Sequence, residues 1–226
     1  MRKQIGNIFF LIHFIRYAQD PSAKGVERFM HFMRHLRKTK RFEAQNEEIL
    51  DHIKKDKYAA KIIEERYLPE KITVEELAIY PKDSLGHEFY KFLKLNSLEL
   101  NIYANFQVNS PIEYISYRGG QLHDLLHVLT GFGVDHFGEF SVQAFTFAQT
   151  KSPMVGLFLA GDLLYASRKG PNWAFDAFNA MVQGFQLGLK SKNFYSIKWE
   201  NRFSHNLNQL RFEMGLQQEH YFSSKQ

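Results

Sequence analysis

The chain has 226 residues, no cysteine and a formal net charge of +5 at pH 7. Its length suits one domain with a substantial core. The missing thiols exclude disulfides and thiolate metal sites, so any metal would rest on histidine and carboxylate ligands. Phenylalanine is abundant, with 22 residues, which favours either a densely packed aromatic core or an aromatic-lined lipid tunnel.

The first 18 residues contain a short apolar run, Ile8 to Ile15, with basic residues on both sides. Eight residues are far fewer than the ~20 that a membrane-spanning helix needs. The segment also lacks the small-residue cleavage site of a secretory signal. It predicts either an ordinary core helix or an amphipathic helix that lies on a membrane surface, so residues 1–18 are the candidate membrane contact.

Asp20-Pro21-Ser22 should end this helix, and the next one is predicted by helical spacing of the apolar positions from Val26 to Leu36. The densest basic cluster follows at residues 34–41. Such a cluster can dock on nucleic acid or on anionic lipid headgroups, although a solvated helix end is the simpler interpretation. No nucleic-acid-binding signature accompanies it, so we expect no nucleic-acid partner.

The middle of the chain also predicts helices. Residues 43–65 carry isoleucines among charges and indicate one or two amphipathic helices. Thr73 and Glu76 have the spacing of a capping box, and Asp83 or Ser84 should cap the helix that follows. Residues 109–111, Asn-Ser-Pro, form a predicted turn before the part of the chain that carries the chemistry.

That part is His123-Asp124-Leu-Leu-His127, followed by Glu139. Histidines four apart project from one helix face, so both imidazoles can reach a single metal ion. Asp124 is close enough to join them or to orient a ligand. A turn at residues 130–135 and a second helix would return Glu139 to face the pair. Two nitrogens and one or two carboxylates, with a position left open, are typical of a catalytic divalent-metal site.

Other interpretations of these residues stay open. The HxxxH spacing arises by chance in a chain with ten histidines, although the apolar run around it predicts burial, and buried imidazoles need partners. A metalloprotease helix needs Glu after the first His, where this chain has Asp124, so peptide hydrolysis is disfavoured. An HD-type phosphohydrolase would use His123-Asp124 with a distant His and Asp, for which His87 and Asp162 are the best candidates.

After the motif, residues 139–149 form an amphipathic stretch and residues 154–166 a strongly apolar one with a single acid, Asp162. Burying that acid is unfavourable unless it is paired, which makes it a candidate for orienting the site. Residues 173–190 contain Gly184 and Gly188, four apart, which would allow close helix approach. No alternating strand pattern is present, so we predict an all-α, single-domain helical bundle, with an apolar cavity suited to lipid.

The motif region resembles the Coq4 family of ubiquinone-biosynthesis proteins. Its signature is HDxxH, eleven residues, then Glu, and residues 123–127 and Glu139 fit it, with Tyr117-Arg118 before the motif and Gly131 and Gly138 within it. Similar segments at 66–69, 77–93, 199–200 and 210–216 extend the resemblance over roughly residues 16 to 217. The resemblance implies one Coq4-like helical domain over residues 1–226.

The resemblance also implies a ligand and a reaction. The ligand would be an aromatic ubiquinone precursor with a polyprenyl tail, and the reaction C1 decarboxylation or hydroxylation. A divalent metal, zinc foremost and iron as the alternative, would be held by the catalytic residues His123, Asp124, His127 and Glu139. A non-catalytic scaffold that binds prenyl lipid and organises the biosynthetic complex is the main alternative.

On the substrate side we expect Tyr117 and Arg118 to hold an anionic group or a ring edge, with a structural salt bridge as the alternative for Arg118. Phe140, Phe147 and Asp162 are the further candidates for substrate contact. The expected partners are the prenylated precursor, a membrane surface, other quinone-biosynthesis proteins and a second copy in a homodimer. We expect a cytoplasmic protein at the inner membrane face, or on the matrix side in a eukaryote.

Overall fold

The computed structural model describes residues 2–36, 40–100 and 108–217. Within these ranges all regular structure is helical, apart from one isolated bridge between Ser84 and Asn206, which confirms the all-α class. The helices are α1 (Arg2–Gln19), α2 (Ala23–Leu36), α3 (Lys40–Ile53), α4 (Lys57–Glu65), α5 (Val74–Leu77), α6 (Leu85–Leu95), α7 (Pro111–Thr130), α8 (His136–Thr150), α9 (Pro153–Lys169), α10 (Pro171–Lys190) and α11 (Leu207–Met214).

Helix starts follow the capping signals of the sequence. Thr73 and Glu76 form the expected capping box of α5, and Ser84 caps α6. Ser110 caps α7 with Pro111 as its first residue. Residues 43–65 form parts of two helices, because Asp56 accepts hydrogen bonds from the first backbone N–H groups of α4 and starts a new helix there.

Helix α7 runs through the main hydrophobic core, and its C-terminal end is tied to the last helix. The Arg211 guanidinium on α11 donates to the carbonyl oxygens of Val128 at 2.8 Å and Leu129 at 3.0 Å. These carbonyl groups belong to the last turn of α7, where no backbone N–H of the same helix is available to donate to them. A cation at that end is also favoured by the helix dipole. Both effects fix the part of α7 that carries the second histidine of the motif.

Helices α8 and α10 pack backbone against backbone, as the two glycines predicted. A methyl group added at Gly184 would lie 1.9 Å from the Ser141 carbonyl oxygen, and one at Gly188 would lie 2.7 Å from the Phe145 carbonyl oxygen. The close approach lets the Ser141 hydroxyl donate to the Ala180 carbonyl oxygen at 2.9 Å. The close contact therefore leaves α8 little room to shift relative to α10.

The N-terminal hairpin α1–α2 packs on α9. On α1 one face enters this contact, while Ile8, Leu11, Ile12 and Ile15, which follow each other at helical spacing, are exposed on another. Among the residues described here no helix has the length and apolarity needed to cross a bilayer. The basic cluster at residues 34–41 lies outside the residues whose side chains are described.

The α8–α10 contact gives a first prediction. Gly184→Ala is expected to lower the free energy of unfolding by about 2–3 kcal/mol, because the new methyl overlaps the Ser141 backbone. Gly156→Ala is the matched control: its methyl meets only the Phe147 ring, at 3.4 Å. This control should leave the stability unchanged or raise it by up to about 1 kcal/mol, since alanine is the better helix former. Urea unfolding measures both, and equal losses would contradict the close contact.

Candidate metal centre

Three side chains of the motif meet between α7 and α8. Nε2 of His123 lies 3.2 Å from Oε2 of Glu139 and 3.4 Å from Nε2 of His127. The His127 Nε2 also lies 3.4 Å from Oε1 of Glu139. The predicted helix–turn–helix therefore brings the carboxylate to both imidazoles.

The loop between the helices orients His127. Its Nδ1 lies 3.1 Å from the Phe132 carbonyl oxygen, which can only accept, so Nδ1 carries a hydrogen. In the neutral ring the Nε2 lone pair therefore faces the cluster, and in the protonated ring Nε2–H can donate to Glu139. A carbonyl partner of this kind is usual for a metal-binding histidine. The loop can lie this close because residue 138 is glycine: a methyl there would lie 1.9 Å from the Gly133 carbonyl oxygen.

The separations test whether a metal ion fits. Four-coordinate zinc, with bonds of about 2.0–2.1 Å, places its ligand atoms roughly 3.3 Å apart, whereas octahedral coordination at that bond length needs roughly 2.9 Å. The two imidazole Nε2 atoms, 3.4 Å apart, have the tetrahedral spacing, and each lies 3.2–3.4 Å from one oxygen of Glu139, Oε2 for His123 and Oε1 for His127. One ligand atom from each of the three side chains lies within 4.8 Å of the others, so the three are close enough to hold one metal ion. His127 is 1% exposed, while His123 and Glu139 are 37% and 35% exposed. A further coordination position can therefore face solvent.

The charges within the cluster also favour the binding of a cation. Burial opposes ionisation of Glu139, but hydrogen bonds with His123 and His127 outweigh it and lower its pKa to about 2. Burial also opposes a charge on His123, but the hydrogen bond and negative charge of Glu139 raise its pKa. In the absence of a metal, the cluster therefore stabilises a proton between carboxylate and imidazole. A divalent cation would displace that proton, which is the usual linkage between metal and proton binding.

Asp124 does not belong to this cluster. Asp124 lines a cavity of about 50 Å³, together with Gln121, Glu200, Phe89 and Phe203, and the three members of the cluster do not line it. In the part of the chain that the structure describes, Asp124 makes no hydrogen bond or ion pair, and burial raises its pKa. The structure therefore brings together His123, His127 and Glu139, and the fourth expected ligand, Asp124, is not among the side chains that meet there.

Tyr117 and Arg118 lie within α7, between one and three turns before the two histidines. Arg118 is 2% exposed, and its guanidinium donates to both oxygens of Glu200, at 2.7 and 3.3 Å, and to Gln121 at 3.1 Å. This is the structural salt bridge that was the alternative to anion binding. The buried Tyr117 hydroxyl accepts a hydrogen bond from Gln121 at 2.7 Å.

The other candidates for substrate contact occupy three different environments. Phe140 lies on α8 and is buried in the core, with its ring 6.2 Å from that of Phe137. Phe147 is half-buried and has its ring 6.1 Å from that of Phe185 on α10. Asp162 is completely buried and is bonded to Tyr17. The structure thus places none of the three in the cluster of metal ligands.

The HD-type alternative requires His87 and Asp162 to join His123 and Asp124. His87 lies on α6 with its ring 6.1 Å from that of Tyr90, and Asp162 lies on α9 against Tyr17. Neither belongs to the ligand cluster that the described residues form. The arrangement therefore does not favour a phosphohydrolase of that class.

Three groups that position the site or the helices around it could not be identified from the sequence. The Phe132 carbonyl is a backbone group, and Gly138 gave no hint of the backbone that it must clear. Tyr17 lies 145 residues from Asp162. An unpaired acid in an apolar helix did signal that a partner was needed, but not which residue it was.

Comparison with known proteins agrees with the fold and the motif. Residues 33–220 match the family model described as coenzyme Q (ubiquinone) biosynthesis protein Coq4. The mitochondrial ubiquinone biosynthesis protein COQ4 of Eremothecium gossypii is 30% identical over 148 residues, which cover 64% of this chain and 45% of that protein. The Mus musculus homologue is 29% identical over 171 residues, 74% of this chain and 63% of that protein.

A crystal structure of a Nostoc punctiforme protein superposes with a TM-score of 0.79 at 23% identity, over 94% of this chain and 99% of that one. This similarity supports the fold alone. The chain spans about half to two-thirds of the length of the curated relatives named above.

The geometry predicts which substitutions abolish metal binding. Metal-free protein titrated with Zn²⁺ by calorimetry should bind about one ion per chain, and His127→Ala or Glu139→Ala should weaken binding by more than about 100-fold, because each removes a ligand. Asp124→Asn should bind as the wild type does, because Asp124 is not one of the three side chains that meet in the cluster. His136→Ala, an exposed histidine three residues before Glu139, is the control. Loss of binding in Asp124→Asn would contradict the three-residue site.

Proposed function

Because the chain belongs to the Coq4 family of ubiquinone biosynthesis proteins, we propose that it acts in ubiquinone biosynthesis on a polyprenylated aromatic precursor. The precursor's ring would lie beside a divalent metal held by His123, His127 and Glu139. The observation that carries this proposal is the meeting of two imidazoles and one carboxylate, whose ligand atoms lie within 4.8 Å of one another. This set of ligands suits zinc, and His123 and Glu139 are partly exposed, so the ion would be open to solvent on their side. Iron accepts the same ligand types and is the alternative.

The three residues would contribute in different ways. His127, fixed by the Phe132 carbonyl and hidden from solvent, would hold the ion in place. His123 and Glu139 are half-exposed and would border the open side, where an anionic group of the ring can approach. A divalent cation there supplies Lewis acidity, which stabilises negative charge that develops on a carboxylate or phenolate.

We propose C1 decarboxylation as the reaction. The bond between ring carbon C1 and its carboxylate breaks, carbon dioxide leaves, and the electron pair stays on C1 until a proton replaces the lost group. Hydroxylation of C1 would be a separate step that needs molecular oxygen and a reductant. The negative charge that builds up on the ring in the first step is what a cation bordered by His123 and Glu139 can stabilise.

The prenyl tail would remain in a membrane while the ring meets the site. The cavity beside Asp124, at about 50 Å³, has room for only a few water molecules and cannot enclose a polyprenyl chain. The prediction of a lipid-sized apolar cavity is therefore not confirmed. We propose that the exposed face of α1, with Ile8, Leu11, Ile12 and Ile15, rests on the bilayer surface. Arg16, exposed in its last turn, suits anionic headgroups.

The second candidate function is a scaffold that binds lipid without catalysis. The exposed apolar face of α1 favours it, since contact with lipid needs no catalytic group. In that case the metal would be structural, and partner enzymes would perform the chemistry. The expected homodimer and the contacts with other biosynthesis proteins remain predictions.

The two functions differ in what Glu139→Gln does in a ubiquinone-producing cell whose own homologue has been deleted. If the protein is the enzyme, Glu139→Gln and His123→Ala should reduce ubiquinone to the level of the deletion and accumulate the prenylated precursor that retains its C1 carboxylate. His136→Ala should restore ubiquinone. Mass spectrometry of lipid extracts measures both compounds, and circular dichroism of the purified variants verifies folding.

Normal ubiquinone with Glu139→Gln would favour the scaffold. A variant that fails to fold would remove the support for a catalytic role of that residue, because the effect would then be structural.

Membrane contact is tested by flotation with vesicles of phosphatidylcholine and phosphatidylglycerol. Ile8→Glu with Ile12→Glu should weaken vesicle binding by more than about tenfold, because two apolar side chains would no longer enter the interface. Phe175→Glu, which changes a similarly exposed apolar residue on α10, is the matched control and should float as the wild type does. Equal flotation of all three proteins would exclude α1 as the contact.

A further inference from the structure

Asp162 is the most completely buried acid that the structure describes. It is 0% exposed, on a helix that is otherwise apolar at its centre. The Tyr17 hydroxyl of α1 donates to its Oδ1 at 2.6 Å. Its second oxygen, Oδ2, is buried without a hydrogen-bond partner. An ionised carboxylate in this position would be strongly unfavourable, because a buried charge needs a counter-charge or several hydrogen bonds.

The contact with Tyr17 is closely fitted. A methyl at Gly161 would lie 2.4 Å from the Tyr17 ring, so the absence of a side chain there creates the space that the ring fills. The same ring stacks on Phe29 of α2 at 5.4 Å and meets the edge of Phe158 of α9, also at 5.4 Å. Tyr17 therefore lies between both helices of the N-terminal hairpin and α9, with its hydroxyl directed at Asp162.

A second unpaired oxygen lies on the neighbouring helix. Oε1 of Gln143, on α8, is also buried without a hydrogen-bond partner. The Gln143 amide is close enough to act on the pKa of both Tyr17 and Asp162 through hydrogen bonding. The oxygen and nitrogen of a glutamine side chain can exchange places by a half-turn of the amide group. One proton on Oδ2 of Asp162, with the Gln143 amide turned towards it, would pair both oxygens at once.

We propose that Asp162 is a neutral carboxylic acid that accepts a hydrogen bond from Tyr17 and donates one to Gln143, and so fastens the N-terminal hairpin to helix α8. Asp162 is then a positioning residue and not a contact for substrate. Gln143 lies one turn along α8 from the metal-ligand candidate Glu139. The fastening therefore connects the hairpin with the helix that completes the candidate metal centre, and it stands whether or not the proposed reaction is correct.

The groups around Asp162 are consistent with a bound proton. The titratable groups that act on it are Tyr17 from α1 and Glu139 from α8, and the α2 residues in the same cluster, Phe29 and Met33, are uncharged. Burial is the main cause that raises the pKa of Asp162, from 3.8 to about 7, and the negative charge of Glu139 adds to it. Because the pKa is raised on folding, the stabilisation is complete below pH 3.8 and is lost as the pH rises towards 7.

The test compares Asp162→Asn with the wild type in thermal unfolding at pH 5 and pH 8, using protein as purified. Asparagine can accept from Tyr17 and donate to Gln143 without a proton to lose. The two proteins should therefore have similar melting temperatures at pH 5, and Asp162→Asn should melt higher at pH 8. Relative to the variant, the wild-type folding equilibrium constant should fall by up to about tenfold per pH unit between pH 4 and 7.

Asp176→Asn, at an exposed acid on α10, is the control and should show the wild-type dependence on pH. If Asp162→Asn is less stable than the wild type by the same amount at both pH values, the carboxyl is ionised and the proposal fails.

Should Asp162→Asn fail to fold, NMR of wild-type protein with ¹³C-labelled aspartate carboxyl groups gives the answer directly. One aspartate should titrate near neutral pH, and titration of all of them near or below the ordinary value of about 4 would overturn the proposal.

Discussion

The position of α8 is the constraint on which the candidate site depends. This helix carries Glu139, and it is held by close backbone contact with α10 at Gly184 and with the preceding loop at Gly138. In both places a methyl group would overlap a carbonyl oxygen. Because backbone contacts leave little freedom to slide or rotate, the carboxylate arrives within 3.2–3.4 Å of two imidazoles on α7. Interiors packed this closely transmit small displacements, so these glycines matter to the site without touching it.

Two acids close to the same helix are driven to opposite protonation states by their surroundings. Hydrogen bonds with two imidazoles hold the pKa of Glu139 at about 2, whereas burial beside a phenol raises that of Asp162 to about 7. The first is therefore available as a metal ligand, and the second can serve as a hydrogen-bond donor. Such divergence between neighbouring carboxyl groups is how one fold assigns them separate roles. It also avoids placing two negative charges together in a poorly solvated region.

The N-terminal hairpin carries the exposed apolar face of α1 and also packs against α9, close to the site. Helix α1 is apolar on two faces: one packs against α9 through Tyr17, and the other is exposed through Ile8, Ile12 and Ile15. A helix with apolar residues around most of its circumference is expected to find a second apolar environment. A bilayer surface would provide one, and the hairpin would then hold the protein at the depth where an amphiphile presents its ring.

The sequence by itself determined the helices, their caps and the spacing of the ligand histidines, because these depend on residues within one or two turns of each other. Thr73 and Ser84 cap the helices that their positions predicted, and the turn predicted at residues 109–111 contains Ser110, which caps α7. The turn after His127 also sufficed to return Glu139 to the histidine pair. Resemblance to the family added the expected chemistry, which local physics alone did not provide.

Only the tertiary structure decided which candidates share an environment, because that depends on partners distant in the chain. Arg118 is neutralised by Glu200, 82 residues away, and Asp162 meets Tyr17, 145 residues away. Asp124 is adjacent to the candidate ligand His123 in sequence, yet it is not among the side chains that meet in the cluster, since neighbouring residues on a helix point about 100° apart. Hydrophobic pattern sets which face of a helix is buried, but not which helix will cover it.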